Sequence, residues 1–412
     1  MALSPALSPR PNPPGSRVPA NAAKAKALAI LNHKSAPSPS ITSAASTPGA
    51  TEKDKDLGAQ MNDEVRDRFV FGARLGEGTY AIVYRGHLRD DPSKLVAIKK
   101  MKINQEWKDG INLDSLREIK HLAELHHPNI IELVAVFTTK DQNISLALEH
   151  LPRGDLEQVW KDRSITYGAA DIKTWANMLC QAVWFCHESS VLHRDIKGNN
   201  LLIAADNTLK LADFGLARNF GNPEDDMTYN VITRFYRPPE LLLGSNHYGG
   251  CVDVWSSACV IAELALREFF LPSNTDLEQL SVITEVFGIP TEQDWPGVNK
   301  LRFWKDHLEN SAPKRPQPMS WWRGRFPLMG DDGIDLLRAM LTMDPVKRLN
   351  ARQVLEHQYW TSMPRPTKKE KLPRKGDGEK AMAEDLKRRG GEMESGRTDK
   401  VARKLDFGAM QR

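Results

Sequence analysis

The stretch HRDIKGNN at residues 193–200 decides how this chain is interpreted, together with the triplet DFG at residues 213–215. Asp195 offers a carboxylate that can accept a proton, and Asn200 and Asp213 are hard oxygen ligands suited to magnesium. These groups are the minimum needed to move a γ-phosphoryl group. Either motif alone can arise by chance. Asp213 lies thirteen residues after Asn200, however, and PPE follows at residues 238–240, so the combination favours phosphoryl transfer.

Charge is unevenly distributed along the 412 residues, whose formal total is +4. Residues 1–60 carry +4, residues 361–412 carry +6, and the residues between them carry −6. The basic character belongs to the two ends and gives no case for a nucleic-acid-binding fold. No apolar run approaches the ~20 residues of a membrane span. The four cysteines lack the spacing of a zinc or redox pair, and we expect free thiols in a reducing compartment.

Both ends of the chain have compositions typical of disorder. We expect residues 1–64 to form a disordered extension rich in Pro, Ser and Ala, with at most a transient helix at Ala20–His33. The acid-poor start also fits a mitochondrial transit peptide, but its prolines break the helix that such a peptide needs. Residues 363–412 form a charged tail, which we also expect to be disordered. Its runs at 368–371 and 387–389 resemble nuclear-import signals, although such runs are more often only solvated.

Between these ends, strand patterns give way to helix patterns near Leu151. The first part contains five strand patterns and one helix: Phe69–Leu75, Ala81–Leu88, Leu95–Met101, Asn112–Leu125 (the helix), Ile130–Phe137 and Ile144–His150. The second part is largely helical, at Asp171–His187, Asp253–Leu266, Asp276–Phe287, Ile334–Leu341 and Ala351–Gln358. The sequence therefore predicts an α+β, bilobal fold, with a small β-rich N-terminal lobe at 65–150 and a larger, mainly helical C-terminal lobe at 151–362.

A glycine-rich segment, LGEGTYAIV, follows the first strand at residues 75–83. Glycine allows the backbone to turn tightly and to approach phosphate oxygens closely. In isolation this string would as readily be an ordinary hairpin. It is followed by VAIK at residues 96–99, however, where Lys99 lies in an apolar strand. An unpaired buried charge is costly, so Lys99 needs a partner unless its head reaches water.

On these motifs the chain resembles the eukaryotic protein kinases over roughly residues 69–362, and the resemblance implies ATP and Mg²⁺ as cofactors. Asp195 would then accept or orient the proton of the substrate hydroxyl, and Lys197 would offset charge on the γ-phosphate. Lys99 would contact the α- and β-phosphates and pair with Glu118, while Asn200 and Asp213 would bind the metal. The implied ATP contacts are Leu75, Gly76, Glu77, Gly78, Thr79, Tyr80, Ala81, Ile82, Val83, Ala97, Lys99, Glu149 and Leu151.

The resemblance also implies structural roles for residues around the site. His193 would brace its loop rather than act as the base, and Asp253 would cap backbone amides of that loop. An ion pair is expected between Glu240 and Arg348 in the large lobe. Leu148 would close the back of the adenine pocket.

By the same analogy, three arginines, Arg117, Arg194 and Arg218, would converge on a phosphothreonine at Thr228. A dianionic phosphate would relieve their mutual repulsion and fix the loop that contains it. The alternative is that each arginine pairs with a nearby carboxylate at the surface.

Several segments indicate the subfamily. VITRFYR at residues 231–237 is similar to the segment that makes cyclin-dependent kinases proline-directed, because proline has no N–H for a pocket to satisfy. Thr228 and Tyr229 are adjacent, which disfavours a mitogen-activated kinase. KDGIN at 108–112, SLREIK at 115–120, ISL at 144–146 and GIPTEQDWP at 288–296 resemble the cyclin-dependent-kinase-activating kinases, catalytic subunits of the general transcription factor TFIIH.

This resemblance implies a nuclear kinase with a cyclin docked on the Arg117–Glu118 helix, a TFIIH assembly factor, and the RNA polymerase II C-terminal domain as substrate, without direct nucleic-acid or membrane binding. A cell-cycle or other cyclin-dependent kinase is the alternative enzyme. A catalytically silent scaffold would lack a catalytic group, whereas Lys99, Asp195 and Asp213 are present. The chain departs from the family pattern at Gly198, Phe235, Pro238 and Ala258, which removes no catalytic atom.

Overall fold

The computed structural model describes residues 57–78, 81–102, 113–140, 143–221 and 226–374. Five antiparallel strands form the N-terminal sheet in the order β1-β2-β3-β5-β4. They are β1 (Phe69–Glu77), β2 (Ala81–Leu88), β3 (Leu95–Met101), β4 (Leu133–Thr138) and β5 (Ile144–Glu149). Helix α1 (Leu57–Asp67) precedes the sheet, and helix α2 (Leu113–Glu124) connects β3 to β4. The sheet buries a small core that includes Phe69, Ile98 and Phe137.

The C-terminal lobe is mainly helical, as predicted. Its helices are α3 (Leu156–Lys161), α4 (Ala169–Glu188), α5 (Pro239–Leu242), α6 (Cys251–Leu266), α7 (Asp276–Phe287), α8 (Trp304–His307), α9 (Met319–Arg325), α10 (Gly330–Met340) and α11 (Ala351–Glu356). Helix α6 is apolar on nearly all sides and accordingly lies inside the lobe. Trp255 of this helix is fully buried, and so are Trp175 of α4 and Trp322 of α9. The α+β, bilobal fold is confirmed.

Two short two-stranded sheets border residues 193–200 and 213–215 in the sequence. Strands β6 (Val191–Leu192) and β9 (Arg218–Asn219) pair antiparallel, and so do β7 (Leu201–Ile203) and β8 (Leu209–Leu211). The predicted strand at Ile130–Phe137 begins later, at Leu133, because Ile130 instead bridges to Leu211. Its side chain is buried there.

Both predicted tails contain ordered segments, which corrects the boundaries at residues 64 and 363. Helix α1 lies against β4, where Asn62 donates to the Thr138 carbonyl at 3.1 Å and accepts from its N–H at 2.6 Å. Residues 363–374, named here the C-terminal strap, cross helix α4. The strap residue Leu372 is buried. Composition suggested disorder, but a few specific contacts are enough to fix short polar segments.

All four cysteines are free thiols, as predicted, and Cys180, Cys186 and Cys259 are buried. Burial raises the pKa of Cys180 to about 12, so that thiol is inert. No helix in the described part of the chain is long and apolar enough to cross a membrane. The helix expected at Ala20–His33 lies outside the described residues.

Candidate active site

Asp195 lies at the centre of a hydrogen-bond network formed by its own loop and one distant residue. Its Oδ1 accepts a hydrogen bond from Thr233 Oγ1 at 2.8 Å, and its Oδ2 lies 2.7 Å from Lys197 Nζ. Asn200 Nδ2 donates to Asp195 Oδ2 at 3.0 Å and to the Asp195 carbonyl at 2.8 Å. Lys197 Nζ also donates to Thr233 Oγ1 at 3.1 Å. The carboxylate is thus oriented from several sides, as a group that receives a proton at one position must be.

Asp253, at the start of helix α6, fixes this loop from below. Its carboxylate accepts hydrogen bonds from the N–H groups of His193 and Arg194, both at 2.9 Å, and from His187 Nε2 at 2.9 Å. Burial would raise the pKa of Asp253, but the hydrogen bond from His187 and the nearby histidines outweigh it and lower that pKa. Arg194 adopts a left-handed backbone with φ 65°, which the capped amides help to maintain. The predicted capping by Asp253 is confirmed.

His193 braces the loop, as expected. Its Nδ1 accepts from the Asp195 N–H at 3.2 Å, so Nε2 carries the proton and donates to the Ala212 carbonyl at 3.1 Å. Its ring makes an edge contact with Phe214, with centroids 4.7 Å apart. Burial lowers the pKa of His193 and favours the neutral ring. The histidine therefore links two motifs and is not placed as the base.

Lys99 joins strand β3, helix α2 and the DFG triplet. Its Nζ lies 2.8 Å from both carboxylate oxygens of Glu118 and 3.0 Å from Asp213 Oδ1. Burial alone would lower the pKa of Lys99, but the two carboxylates outweigh it and raise that pKa. Burial would raise the pKa of Asp213, and the charge of Lys99 lowers it instead. The predicted partner of Lys99 is present, and the alternative of a lysine reaching water does not apply.

Asn200 and Asp213 flank the β7–β8 hairpin. Asn200 immediately precedes β7, Asp213 follows β8, and the Ala212 N–H donates to the Asn200 carbonyl at 2.9 Å. Asp213 has a left-handed backbone with φ 64°, and its side chain is partly exposed. The amide nitrogen of Asn200 bonds to Asp195, and within the described residues no hydrogen bond is made by its amide oxygen, which is therefore available to a cation. An amide oxygen beside a carboxylate is a donor set that fits Mg²⁺.

The described part of the glycine-rich segment spans the end of β1 and the start of β2. The Gly78 N–H donates to the Ala81 carbonyl at 2.9 Å, and Lys102 Nζ donates to the Gly78 carbonyl at 2.9 Å while contacting Glu77. A Cβ built on Gly76 meets nothing within 4 Å, and one on Gly78 comes no nearer than 3.9 Å to Ala81 O. Packing within the described protein does not explain these glycines, whereas close approach of a ligand does. Thr79 and Tyr80 lie outside the described residues.

The predicted adenine side of the site is formed by the sheet and the segment after β5. Leu75 lies on β1, Ile82 and Val83 lie on β2, and Ala97 on β3 is paired with the buried Leu148. The Glu149 side chain is occupied by Lys210 Nζ, at 2.6 Å. Among the described residues, no hydrogen bond engages the backbone of Leu151, so its N–H and C=O are open to a nucleotide base.

Thr228 is exposed and is held through its backbone. Tyr248 Oη donates to the Thr228 carbonyl at 2.8 Å and accepts from Arg194 Nη1 at 3.0 Å. Arg194 is therefore connected to the Thr228 segment through one tyrosine. The Met227 N–H donates to the Asn246 carbonyl at 2.8 Å and anchors the same segment.

The other two predicted phosphate-binding arginines have local partners in this structure. Arg117 Nη1 lies 3.0 Å from Asp114 Oδ1, one helical turn away. Arg218 Nε donates to the Asn219 carbonyl at 3.2 Å. The alternative of pairing with a nearby carboxylate thus holds for Arg117, and the convergence of all three arginines on Thr228 stays a prediction.

In the segment between Thr228 and helix α5, one residue has a left-handed backbone conformation. Ile232 adopts φ 68°, and its carbonyl accepts hydrogen bonds from Arg237 Nη2 at 3.0 Å and Nε at 3.3 Å. Arg237 Nε also donates to the Val231 carbonyl at 2.9 Å, and its Nη1 lies 2.7 Å from Asp276 Oδ2. Both carbonyls are thereby occupied within the protein.

The ion pair predicted between Glu240 and Arg348 is confirmed, with N–O distances of 2.7 and 2.8 Å. Both side chains are at most 2% exposed. Two departures from the family pattern are accommodated locally. A Cβ on Gly198 would lie 3.0 Å from Glu157 Cβ, so this glycine fits a tight approach. Phe235 makes an edge contact with Phe269, with centroids 5.2 Å apart.

Sequence reasoning missed several members of the site. Thr233 lies in the VITRFYR segment, but its separation from Asp195 in the sequence gives no sign that the two side chains are in contact. Tyr248, His187 and Lys102 carry no motif of their own. For these residues only the folded chain reveals the contact.

Comparison with known proteins agrees with this geometry. A family model described as "Protein kinase domain" matches residues 69–360. The serine/threonine-protein kinase crk1 of Schizosaccharomyces pombe is 44% identical, over 80% of this chain and 96% of its own. KIN28 of Saccharomyces cerevisiae is 43% identical, over 71% and 94%, and cyclin-dependent kinase 7 of Xenopus laevis is 44% identical, over 73% and 83%. A chain of the CAK complex from Chaetomium thermophilum, solved with ATP-gamma-S, is 53% identical with a TM-score of 0.75, covering 78% of this chain and 99% of that one.

Proposed function

The chain belongs to the protein kinase family and, within it, to the cyclin-dependent serine/threonine kinases, and on this premise we propose that it is the nuclear kinase of TFIIH. Its substrate would be Ser-Pro sites in the RNA polymerase II C-terminal domain, and its partners a cyclin and an assembly factor. Its similarity to KIN28, to cyclin-dependent kinase 7 and to a chain of the CAK complex supports this assignment. Activation of other cyclin-dependent kinases is a second role that the same relatives favour.

The site suggests how each residue contributes to phosphoryl transfer. Asp195 receives the proton of the acceptor hydroxyl, held in place by Thr233 and Lys197. Lys99 orients the α- and β-phosphates of ATP, and Glu118 positions Lys99. Magnesium, held by Asn200 and Asp213, would neutralise phosphate charge.

The observation that carries the choice of substrate is the occupied carbonyl of Ile232. In most peptides, the residue after the phosphorylated serine or threonine has a backbone N–H. When that N–H is buried, it needs a hydrogen-bond acceptor. Here the nearby carbonyl is already bonded to Arg237, so that N–H would lose a partner. Proline has no N–H and loses nothing. The site therefore selects proline chiefly because any other residue at this position would lose a hydrogen bond, and not because proline gains an extra contact.

Paired peptides test this mechanism. We expect the kinase–cyclin complex to prefer a Ser-Pro heptad peptide over its Ser-Ala analogue by about 10- to 100-fold in kcat/KM, the range for one unsatisfied buried donor. Substituting Arg237→Gln frees the Ile232 carbonyl and should narrow that ratio. A wild-type enzyme that phosphorylates both peptides equally would refute the proposal.

The exposed face of helix α2 supports a cyclin partner. Leu113 is 58% exposed and Leu116 is 43% exposed, although both are large apolar side chains. Such residues on one helix are typical of a protein-binding surface. Purification of the native complex separates the proposal from its alternative: TFIIH subunits support it, and a cell-cycle cyclin without TFIIH subunits contradicts it.

A further inference from the structure

The C-terminal strap is fastened across the large lobe by contacts that the proposed catalytic mechanism does not use. The Thr367 N–H donates to the Ala170 carbonyl at 3.1 Å, and the Thr367 carbonyl accepts from Thr174 Oγ1 at 2.7 Å. Farther along, Leu372 is 2% exposed and belongs to the main hydrophobic core. These contacts make the strap part of the folded domain.

Between these two points the strap holds the tip of the β7–β8 hairpin. Lys369 Nζ lies 2.6 Å from Asp206 Oδ2 and 3.0 Å from Thr208 Oγ1. The hydrogen bond from Lys369 lowers the pKa of Asp206 to about 2. The Lys369 carbonyl accepts from Asn207 Nδ2 at 2.8 Å. The strap therefore contacts Asp206, Asn207 and Thr208, three of the five residues between β7 and β8.

Asn207 connects the strap to the segment that follows β5. Its Oδ1 accepts from Arg153 Nη1 at 2.6 Å, while its Nδ2 faces Lys369. It is 2% exposed and has a left-handed backbone with φ 69°, a conformation that asparagine tolerates better than most residues. The Arg153 N–H and the Gly154 carbonyl also bond to Ile203 on β7, at 3.2 and 2.9 Å. One buried amide thus joins the strap to the side chain of Arg153, two residues beyond Leu151.

The same hairpin ends in Asn200 and Asp213 at its base. We propose that the C-terminal strap is a positioning element of the nucleotide site, acting through Asn207 on Arg153 and on the β7–β8 hairpin. Detaching the strap lets the segment after Leu151 shift relative to the hairpin. The adenine contacts and the metal ligands are then no longer placed to bind the same nucleotide together. This inference rests on the adenine contacts proposed for Glu149 and Leu151.

The variant Asn207→Asp tests the link selectively. Aspartate keeps an acceptor for Arg153 and tolerates the left-handed backbone, but it loses the donor to Lys369 and sets a carboxylate against that carbonyl. In the full-length chain with its cyclin, we expect the KM for ATP to rise about three- to tenfold, the effect of losing about one hydrogen bond. The kcat and the KM for the peptide should stay unchanged. Asn310→Asp, which adds the same charge at an exposed side chain, should change none of these values.

A second pair of variants leaves the hairpin residues intact. Lys369→Ala removes the bonds to Asp206 and Thr208, whereas Lys371→Ala removes the same charge from an exposed residue of the strap. We expect a rise in the KM for ATP of about twofold for the first, as for a partly exposed ion pair, and none for the second. Because Asn207 links the strap to Arg153 in the segment that follows β5, the effects of Asn207→Asp and Arg153→Ala should be non-additive.

Calorimetric titration with ATP-gamma-S and magnesium separates this proposal from the proposed function, since it needs no turnover and no particular substrate. Weaker nucleotide binding by Asn207→Asp, with Tm within about 2 °C of wild type, supports the proposal. Unchanged nucleotide affinity in both Asn207→Asp and Lys369→Ala overturns it. A fall in kcat and Tm together with a rise in both KM values also overturns it, because the strap would then be only a structural support.

Discussion

Replacing Thr233 by alanine should remove a large part of turnover without weakening ATP binding. Its hydroxyl donates to Asp195 Oδ1 at 2.8 Å and accepts from Lys197 Nζ at 3.1 Å. A hydrogen bond to a charged group contributes about 1.5–3 kcal/mol. Each 1.36 kcal/mol of barrier is about tenfold in rate. If this bond serves only to orient the carboxylate in the transition state, kcat should fall roughly 10- to 150-fold.

Steady-state kinetics of the full-length chain with its cyclin provide the assay, at saturating magnesium and with ATP varied up to saturation. Serine keeps the hydroxyl, so Thr233→Ser should retain kcat within about threefold of wild type. Valine keeps the shape without the donor, so Thr233→Val should behave like alanine. The KM for ATP should change less than twofold, because none of the proposed ATP contacts involves Thr233.

A matched control is Thr361→Ala. The Thr361 hydroxyl also donates a hydrogen bond, at 3.1 Å to the Gln358 carbonyl, but it lies just after helix α11 and outside the candidate site. It should leave kcat unchanged. The reasoning fails if Thr233→Ala keeps wild-type kcat, or if Thr233→Ser is as impaired as Thr233→Ala.

Three further outcomes follow from the contacts described above. Thr228→Ala should lower the turnover of the assembled kinase without changing its Tm, and unchanged turnover would remove Thr228 from the mechanism. Arg348→Met should destabilise the fold by about 3–5 kcal/mol in denaturant unfolding by stranding buried Glu240, with Arg348→Met/Glu240→Leu recovering most of it. Because the pKa of Asp253 is lowered below 3.8, the stabilisation by its carboxylate is complete above that value and is lost as the pH falls through the folded pKa. The Tm advantage of wild type over Asp253→Asn should therefore shrink below about pH 4. A Tm advantage that does not depend on pH would contradict this.

Local pattern predicted most of the large elements. Helix α7 has the bounds that its periodicity indicated, Asp276–Phe287. Strand β4 was predicted to begin three residues too early because an apolar run does not show where its partner ends. Ile130 pairs with Leu211 of another sheet instead. Helix α1 and the C-terminal strap were missed because a few specific contacts, such as those of Asn62, stabilise them against a polar composition.

The same division applies to the site. Residues inside motifs, such as Lys99 and Asp213, were predicted together because the family pattern fixes their separation. Thr233 and Tyr248 act across long stretches of chain, and no periodicity records such a contact. For the three predicted phosphate-binding arginines, the family pattern predicted a distant contact and the structure shows a local one. Arg117 pairs with Asp114, a carboxylate one helical turn away.

The bond between Lys99 and Asp213 explains why one short hairpin can control so much of the site. Asp213 cannot give the same oxygen fully to an ammonium group and to a cation, so metal binding must redistribute the charge around Lys99. Glu118 bonds Lys99 through both of its oxygens and can hold the ammonium group while that occurs. The position of Asp213 is set by β8, and β8 is fixed at its far end by residues 206–208. The affinity of the site for the nucleotide and its metal therefore depends on how firmly the hairpin tip is held, which connects Asn200 and Asp213 to parts of the chain that carry no motif.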